Sequence, residues 1–537
     1  MHLSWFLRTS LLLVLVAPDF AAAAPSKGYD SLVALFQEWR AFQQPKVVDG
    51  IPDYRPAAMK AQVRALPGFQ ARLASIDTRG WSVPEQVDAR IVQAEMNGLS
   101  FDHRVLRPWA NDPAFYLTVM PEQSDQPAPE GPKAAMLVDL WLCTFPLQDS
   151  QAAAIRPGLR AIPGLLSQAR TNLVGNGRDL WLHAGDAIRE QADALKAFAA
   201  HLEGPASAAL KEEVLRALSA TESYRTWVAE QAKGKTGPSG IGVANYDWYL
   251  RHVQLLPYTW RDEVVLLERE LARARSLLAL EEQRNRALPE LQPVTTAEEH
   301  ARAFADAVPR YMGFLASQDV MTLPEFLAPA LQAKVGGFTP GPRNFFLEVD
   351  YREPLALRTH GYHWFDLAWM ENRPHPSPIR RGALLYNVFS SRTEGLATGW
   401  EEQMLQLGLF DARPRARELV YVLLAQRAAR GLASLRMQAN EFTLEQAARW
   451  AAAQTPRGWL RLDDGLVWGE QFLYLRQPNY GTSYVTGKIE MERLLAERKA
   501  RMGAQFRLKD HMDAVNAAGL VPTSLLLWEL AGIPPLP

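Results

Sequence analysis

The sequence predicts a mainly α-helical fold, because helical periodicity runs through most of its 537 residues. A second observation is a repeated helix-start signal, in which Ser or Thr is followed three positions later by an acidic residue or Gln. These capping boxes are Ser82 with Glu85, Thr259 with Asp262, Thr295 with Glu298, and Thr443 with Gln446. Strand patterns are few, so we expect a minor β element of two or three short strands at most.

The helices can be placed in order along the chain. The first is indicated by apolar residues spaced on one helical face, namely Leu32, Leu35, Phe36, Trp39 and Phe42. The helix that begins after Ser82 continues inward through Ile91, and the helix that begins after Thr259 is expected to end near Asn285. Other long helices are predicted at 186–203, 207–233, 297–315, 394–407, 415–438, 443–453 and 484–502.

Two short segments have the aromatic and β-branched character of strands, Ala114 to Met120 and Phe345 to Val349. Two proline-rich stretches, 121–133 and 372–378, are predicted to be surface loops. The first of these loops would separate an N-terminal helical layer, residues 25–120, from the remainder of the chain.

Residues 1–24 have the pattern of a signal peptide. Arg8 supplies the positive charge, Leu11 to Val16 the apolar core, and Ala21 to Ala24 the small residues of a cleavage site, with cleavage after Ala23 preferred. An uncleaved anchor is the alternative, but the apolar run is shorter than the roughly 20 residues of a spanning helix. We therefore expect a periplasmic or secreted protein with no membrane span after cleavage.

The mature chain, residues 25–537, is predicted to form a single domain of ordinary globular composition, 48% hydrophobic and 22% charged. Its net charge of −1 and pI near 6.8 give no reason to expect nucleic acid as a partner. Cys143 is the one cysteine, so no internal disulfide can form, and its apolar surroundings predict a buried, inert thiol. Motifs of serine hydrolases and phosphate-binding loops are absent.

Side chains suited to a metal are densest between Phe345 and Trp400. His360 and His363 are three residues apart, which allows them to share a helix face. Zinc prefers nitrogen, oxygen and sulfur ligands, and helical zinc peptidases use two His four residues apart with Glu after the first. Here Gly361 follows the first His. Spacing alone therefore favours a structural His pair over a metal site.

Two further residues have both a functional and a structural interpretation. Glu394 begins a predicted helix 34 residues after His360, where helical zinc sites often place a third ligand. A solvated acidic residue in a first helical turn is the simpler interpretation, because the helix dipole favours it. Tyr484 could donate a hydrogen bond to an oxyanion, although Tyr in such a cluster more often packs.

The colinear order of these segments resembles the bacterial "domain of unknown function 885" family. Thr393 to Ala397 is similar to the family's E-G-W-A motif, and Gln477 to Lys488 is similar to its P-G-Q-x-x-x-Y-x-x-G segment. The family's fold is related to helical zinc metallopeptidases of the carboxypeptidase Taq and angiotensin-converting enzyme type. The resemblance implies a large helical metallopeptidase-like fold with a central cleft that takes a peptide or small-molecule ligand.

The family's first metal motif is H-E-x-x-P-G-H-H, and this chain departs from it. Aligning backwards from His363 places Leu357 and Arg358 where the family has His and Glu. The resemblance then implies His363 and Glu394 as zinc ligands, Tyr484 as an oxyanion donor, and His360 as a substitute ligand. The family's general base is missing.

Two hypotheses follow. The favoured one is a peptide-binding or catalytically impaired homologue with a degenerate zinc motif, since loss of a general base alone costs about 10² to 10⁴ in rate. The alternative is an active zinc-dependent hydrolase that uses a rearranged site of His360, His363 and Glu394. Asp366 or Glu353 would then serve as the substitute base. A helical scaffold without a ligand is a weaker third hypothesis.

Overall fold

The computed structural model describes residues 27–204 and 207–536. In this part of the chain the α-helices, in order, are α1 (Tyr29–Phe42), α2 (Pro56–Ala74), α3 (Val83–Phe101), α4 (Pro108–Asn111), α5 (Asp149–Asn172), α6 (Arg178–Ala200), α7 (Ala208–Ala232), α8 (Val243–His252), α9 (Trp260–Asn285), α10 (Ala297–Phe304), α11 (Ala307–Ser317), α12 (Leu327–Gln332), α13 (Phe345–Asp350), α14 (Pro354–His360), α15 (Tyr362–Asn372), α16 (Ser390–Gln406), α17 (Ala416–Gln438), α18 (Leu444–Gln454), α19 (Leu466–Arg476), α20 (Tyr480–Met502), α21 (Leu508–Ala517) and α22 (Thr523–Ala531). The predicted signal peptide, residues 1–24, lies outside the described residues.

The β structure is confined to two pairs of two-residue strands. β1 (Val47–Val48) pairs antiparallel with β2 (Ile51–Pro52), and β3 (Val119–Met120) pairs parallel with β4 (Val138–Asp139). The predicted mainly α fold with a minor β element is confirmed.

The capping boxes position several helix starts. Three of the four predicted boxes are present, at Ser82, Thr259 and Thr443. The fourth is displaced by one residue, because Thr296 caps α10 by accepting a hydrogen bond from the backbone of Glu299. The cap at Thr259 begins a helix that ends at Asn285, as predicted.

Three predicted elements differ from the structure. Phe345 to Val349 is not a strand but the start of α13, where the Asn344 side chain caps the helix by accepting from the Leu347 amide at 3.0 Å. In the predicted strand Ala114 to Met120, only the last two residues form a strand, after a 3₁₀ turn at Pro113–Tyr116. The predicted helix 297–315 is divided into α10 and α11 near Asp306.

The core is organised around α17, where all but two of the residues are buried. Helices α9, α18, α19 and α20 pack against it, and α16 lies against α20. A helix buried on nearly every side is typical of the centre of a large helical protein. In the described ranges, no helix is both long enough and apolar enough to span a bilayer.

The backbones of helices α16 and α20 are in close contact where Gly395 and Gly487 meet. A Cβ added to Gly395 would lie 2.3 Å from the backbone carbon of Gly487, and a Cβ on Gly487 would lie 2.1 Å from the Ser391 carbonyl oxygen. Glycine is therefore required at both positions, and this contact fixes α16 relative to α20.

The prediction of a buried thiol at Cys143 is wrong, because the side chain is half-buried.

Candidate metal centre

Three predicted ligands, His360, His363 and Glu394, come together in the structure. His360 ends α14, His363 lies in the first turn of α15, and Glu394 lies in the second turn of α16. One potential ligand atom from each residue lies within 4.8 Å of the others. The spacing in the sequence allowed the two His residues to share one helix face. In the structure they instead meet at the junction of α14 and α15.

The facing atoms of His363 and Glu394 lie within ion-pair distance of each other. His363 Nε2 lies 3.3 Å from Glu394 Oε2, and His360 Nε2 lies 3.9 Å from the same oxygen. Both side chains of the closer pair are at most 2% exposed. Within the described residues, neither His363 Nε2 nor Glu394 Oε2 has a hydrogen-bond partner. Buried polar atoms are nearly always paired, so this arrangement suits a bound cation.

The other atoms of these side chains are held by a surrounding layer. Glu394 Oε1 accepts hydrogen bonds from the Tyr480 hydroxyl at 2.6 Å and from Gln126 Nε2 at 2.9 Å. Gln126 Nε2 also lies 3.3 Å from His363 Nδ1, and its side-chain oxygen accepts from Thr393 at 2.8 Å. The partners of Glu394 Oε1 orient this carboxylate and leave Oε2 free for a metal.

His360 has both an anionic and a cationic neighbour. Its Nδ1 lies 3.1 Å from Glu401 Oε1 and 3.1 Å from an Arg427 amino nitrogen. Arg427 and Glu401 also form a bidentate ion pair at 2.7 Å. If Nδ1 carries the proton and faces Glu401, Nε2 presents a lone pair to the cluster, which is the carboxylate–histidine arrangement common at zinc.

The electrostatics of the cluster favour opposite charges on His363 and Glu394. Burial disfavours an imidazolium, but the Asp125 and Glu394 carboxylates outweigh it and raise the pKa of His363 to about 9. Burial likewise disfavours the carboxylate of Glu394, but His363 outweighs it and lowers the pKa of Glu394 to about 2. A proton on His363 therefore balances Glu394 when no metal is present, and a metal must displace it.

The proline-rich stretch 121–133 contributes residues that sequence reasoning did not select. It lacks regular secondary structure, as predicted, but much of it is half-buried rather than exposed, and Gln126 is fully buried against the cluster. Glu130 also lies within hydrogen-bond distance of the Tyr480 hydroxyl, whose single proton the Glu130 and Glu394 carboxyl groups share as alternatives. Burial, and then the charge of Asp125, raises the pKa of Glu130 to about 7. The polar residues between the prolines were the sequence feature from which a role of this stretch in the site could have been predicted.

The residues considered as substitute bases are occupied by ion pairs. The Asp366 carboxylate receives two hydrogen bonds of 3.0 Å from Arg392, and both side chains are buried. Glu353 pairs with Arg413 at 2.8 Å and caps α14. Burial raises the pKa of both carboxyl groups, and the paired guanidinium opposes this rise without cancelling it.

Tyr484 lies beside the cluster without a hydrogen bond to Glu394. Its ring is nearly parallel to that of His360, with 6.5 Å between centroids, and the Arg430 guanidinium lies 5.2 Å from its ring centroid. Tyr480, one turn earlier on α20, is the residue that contacts Glu394. The sequence thus indicated the correct helix, but it missed the tyrosine that touches a ligand.

The comparisons with known proteins establish the fold but no family. No family model matches the sequence, and no curated protein matches it. Two similar solved structures are described as a "putative lipoprotein of unknown function" from Shewanella oneidensis and a "putative lipoprotein" from Colwellia psychrerythraea. Their TM-scores are 0.65 and 0.64 at 17% and 14% identity; each match covers 94% of this chain and 99% or 98% of the other chain.

Proposed function

We propose that this protein is an exported metallopeptidase-like zinc protein, in which His360, His363 and Glu394 hold the metal. The observation that carries the proposal is the pair of buried ligand atoms, His363 Nε2 and Glu394 Oε2, which lie 3.3 Å apart and satisfy no other polar group in the described residues. Three protein ligands leave a coordination position open, as in catalytic rather than structural zinc sites.

Export is supported by two independent features. The first 24 residues have the sequence pattern of a signal peptide. Two structures that share the fold over almost their whole length are described as lipoproteins, which are exported proteins. A membership in the "domain of unknown function 885" family and a central cleft that binds peptides are part of the same proposal, and they rest on the resemblance of the motifs.

Hydrolysis is proposed to be impaired, because no carboxylate stands at the position of the usual general base, which is Gly361 after His360 or Arg358 in the alignment from His363. Gly361 follows His360, and a Cβ there would lie 2.6 Å from Leu331 Cδ1 and 3.0 Å from the Arg358 carbonyl oxygen. A larger side chain at this position would therefore require the Leu331 side chain to move. A zinc ion bound here would supply Lewis acidity toward a carbonyl.

Zinc is expected to stabilise the fold. Added to chelator-treated protein at about 1,000 times its dissociation constant, zinc should raise the free energy of unfolding by about 4 kcal/mol, because it binds only the folded state. Differential scanning calorimetry with zinc, with magnesium and with chelator measures the effect. A melting temperature that does not respond to zinc would overturn the proposal, whereas magnesium should have no effect.

The second candidate function is that of an active hydrolase, and the position and raised pKa of Glu130 favour it. This carboxylate contacts Tyr480, which in turn contacts Glu394, and a pKa of about 7 suits a general base. If zinc-dependent peptide cleavage is found, Glu130→Gln should lower kcat/KM by about 10² to 10⁴ with zinc content unchanged.

Glu122→Gln is the matched control for Glu130→Gln, since Glu122 lies in the same stretch but is exposed. It should leave cleavage unchanged. Equal losses in the two variants would exclude Glu130 as the base, and no cleavage by the zinc-loaded wild type would leave the impaired homologue as the conclusion.

A further inference from the structure

A cavity of about 470 Å³ lies next to the candidate metal centre and is separate from it. Its wall includes Pro129, Gly131, Gln477 and Pro478, which flank Glu130 and Tyr480 in the chain, but it does not include the three candidate ligands. Most of the remaining wall is apolar or aromatic, and the volume is within the roughly 300 to 1,000 Å³ of small-molecule sites. The cavity is therefore large enough for a small organic ligand.

An unpaired carboxylate, Asp102, lines this cavity. Burial alone raises its pKa to about 7, so no hydrogen bond or cation in the described chain offsets the cost of its charge. Asp102 is half-buried, and a carboxylate with little access to water is costly to ionise unless a cation pairs with it. A ligand ammonium would complete this one.

The backbone around Asp102 is unusual. Asp102 begins a π-helical turn, Asp102–Leu106, a feature that often occurs at functional sites. Tyr386 and Asn387, which also line the cavity, have φ of 56° and 48°, a conformation that is costly for residues other than Gly. Gly98 makes room for the Tyr386 ring, since a Cβ there would lie 2.3 Å from Tyr386 Cγ.

The aromatic residues near Asp102 suit an organic cation. Tyr249, Tyr386 and Trp109 all line the cavity, and the Asp102 charge contributes to the raised pKa of both tyrosines. Aromatic faces attract an ammonium group, and a carboxylate beside them adds a direct ion pair.

A cation without a partner lies elsewhere on the same wall. Burial, and then the nearby Arg476 guanidinium, lowers the pKa of Lys133 to about 8. Its electrostatic neighbours include Asp112 and Glu130, but in the described chain it makes no hydrogen bond with them. Arg476 also lines the cavity, and it is held by Asp112 at 2.6 Å.

We propose that this cavity binds a small zwitterion of dipeptide size, with its ammonium at Asp102, its carboxylate at Lys133, and its apolar side chains against the wall between them. The binding site goes beyond the proposed zinc site and does not depend on it, because none of the three candidate ligands lines the cavity.

The test is isothermal titration calorimetry of chelator-treated mature protein with three probes: leucyl-leucine, its N-acetyl derivative and its C-terminal amide. Leucyl-leucine should bind at least about tenfold more tightly than either blocked form, since each block removes one charged contact. Equal binding of the three probes, or binding of none of them, would overturn the proposal.

Two variants test which end of the dipeptide binds at Asp102 and which at Lys133. Asp102→Asn should remove the preference for leucyl-leucine over the N-acetyl form, and Lys133→Met should remove its preference over the amide. Both substitutions remove an unpaired, half-buried charge with little change of shape, so the melting temperature should not fall, and calorimetry checks this. The exposed control Glu122→Gln should retain both preferences. If Asp102→Asn or Lys133→Met retained them too, the assignment would be wrong.

Using metal-free protein keeps the two proposals distinguishable. Failure of the zwitterion site would leave the response to zinc intact, and failure of the zinc site would leave leucyl-leucine binding intact.

Discussion

Glu394→Gln should lower the affinity for zinc by more than about 100-fold, beyond the ten- to 100-fold cost of losing an outer partner of a metal ligand. Glutamine keeps the shape of the side chain but removes the anionic oxygen that faces His363 Nε2 at 3.3 Å and His360 Nε2 at 3.9 Å. Competition with a chromophoric chelator, on protein whose circular dichroism is unchanged, measures the loss.

The control for this prediction is the same substitution two turns later on the same helix. Glu402 pairs with Arg273 at 2.6 Å and with Lys488 at 3.1 Å, and it does not belong to the cluster. Glu402→Gln should therefore retain zinc even if the protein melts at a lower temperature. Tyr480→Phe removes an outer partner of Glu394, so its zinc affinity should lie between those of Glu394→Gln and Glu402→Gln. Unchanged affinity in Glu394→Gln would exclude this residue as a ligand.

Gly395→Ala should lower the free energy of unfolding by about 3 kcal/mol or more, the upper range for overpacked cores. The new Cβ would meet the backbone of α20, at 2.3 Å from Gly487 C and 2.7 Å from Lys488 N. Backbone atoms in two packed helices cannot rotate away, so the helices must separate. Urea denaturation followed by circular dichroism measures the change.

Gly399→Ala is the matched control, since Gly399 is also buried on α16. A Cβ there would meet only Lys488 Cγ at 3.5 Å, an ordinary contact. Because Ala favours a helix over Gly by about 1 kcal/mol, this variant should be as stable as the wild type or more stable. Equal effects of the two substitutions would contradict the close crossing of α16 and α20.

Local signals predicted the fold well where they are strong. Capping boxes gave the starts of α3, α9 and α18, because each box satisfies free N–H groups at a helix end regardless of tertiary context. The prediction was wrong for Phe345 to Val349, where β-branched and aromatic residues indicated a strand. The cap by Asn344 and packing in the core give a helix instead.

The candidate site was predicted in part. His360, His363 and Glu394 were selected from the sequence, but burial could not be, and the simpler interpretation of Glu394 as a solvated helix terminus is wrong, since it is 2% exposed. The predicted helix began at 394, whereas α16 begins four residues earlier and places Glu394 in its buried second turn.

Contacts from distant parts of the chain were not predictable by spacing. Gln126 lies 268 residues from Glu394 in sequence, yet it donates a hydrogen bond to it at 2.9 Å. Its position depends on how the proline-rich stretch folds over α15 and α16, which no local pattern encodes. The same holds for Tyr480 and Glu130, whose contact joins residues 350 positions apart.

The most direct test of the zinc proposal is anomalous X-ray diffraction at the zinc absorption edge, from crystals grown without added metal or a histidine tag. The account predicts one anomalous peak about 2.0 to 2.2 Å from His360 Nε2, His363 Nε2 and a Glu394 oxygen. An ordered site without a peak, in which His363 donates a hydrogen bond to Glu394, would contradict the account and define a metal-free homologue.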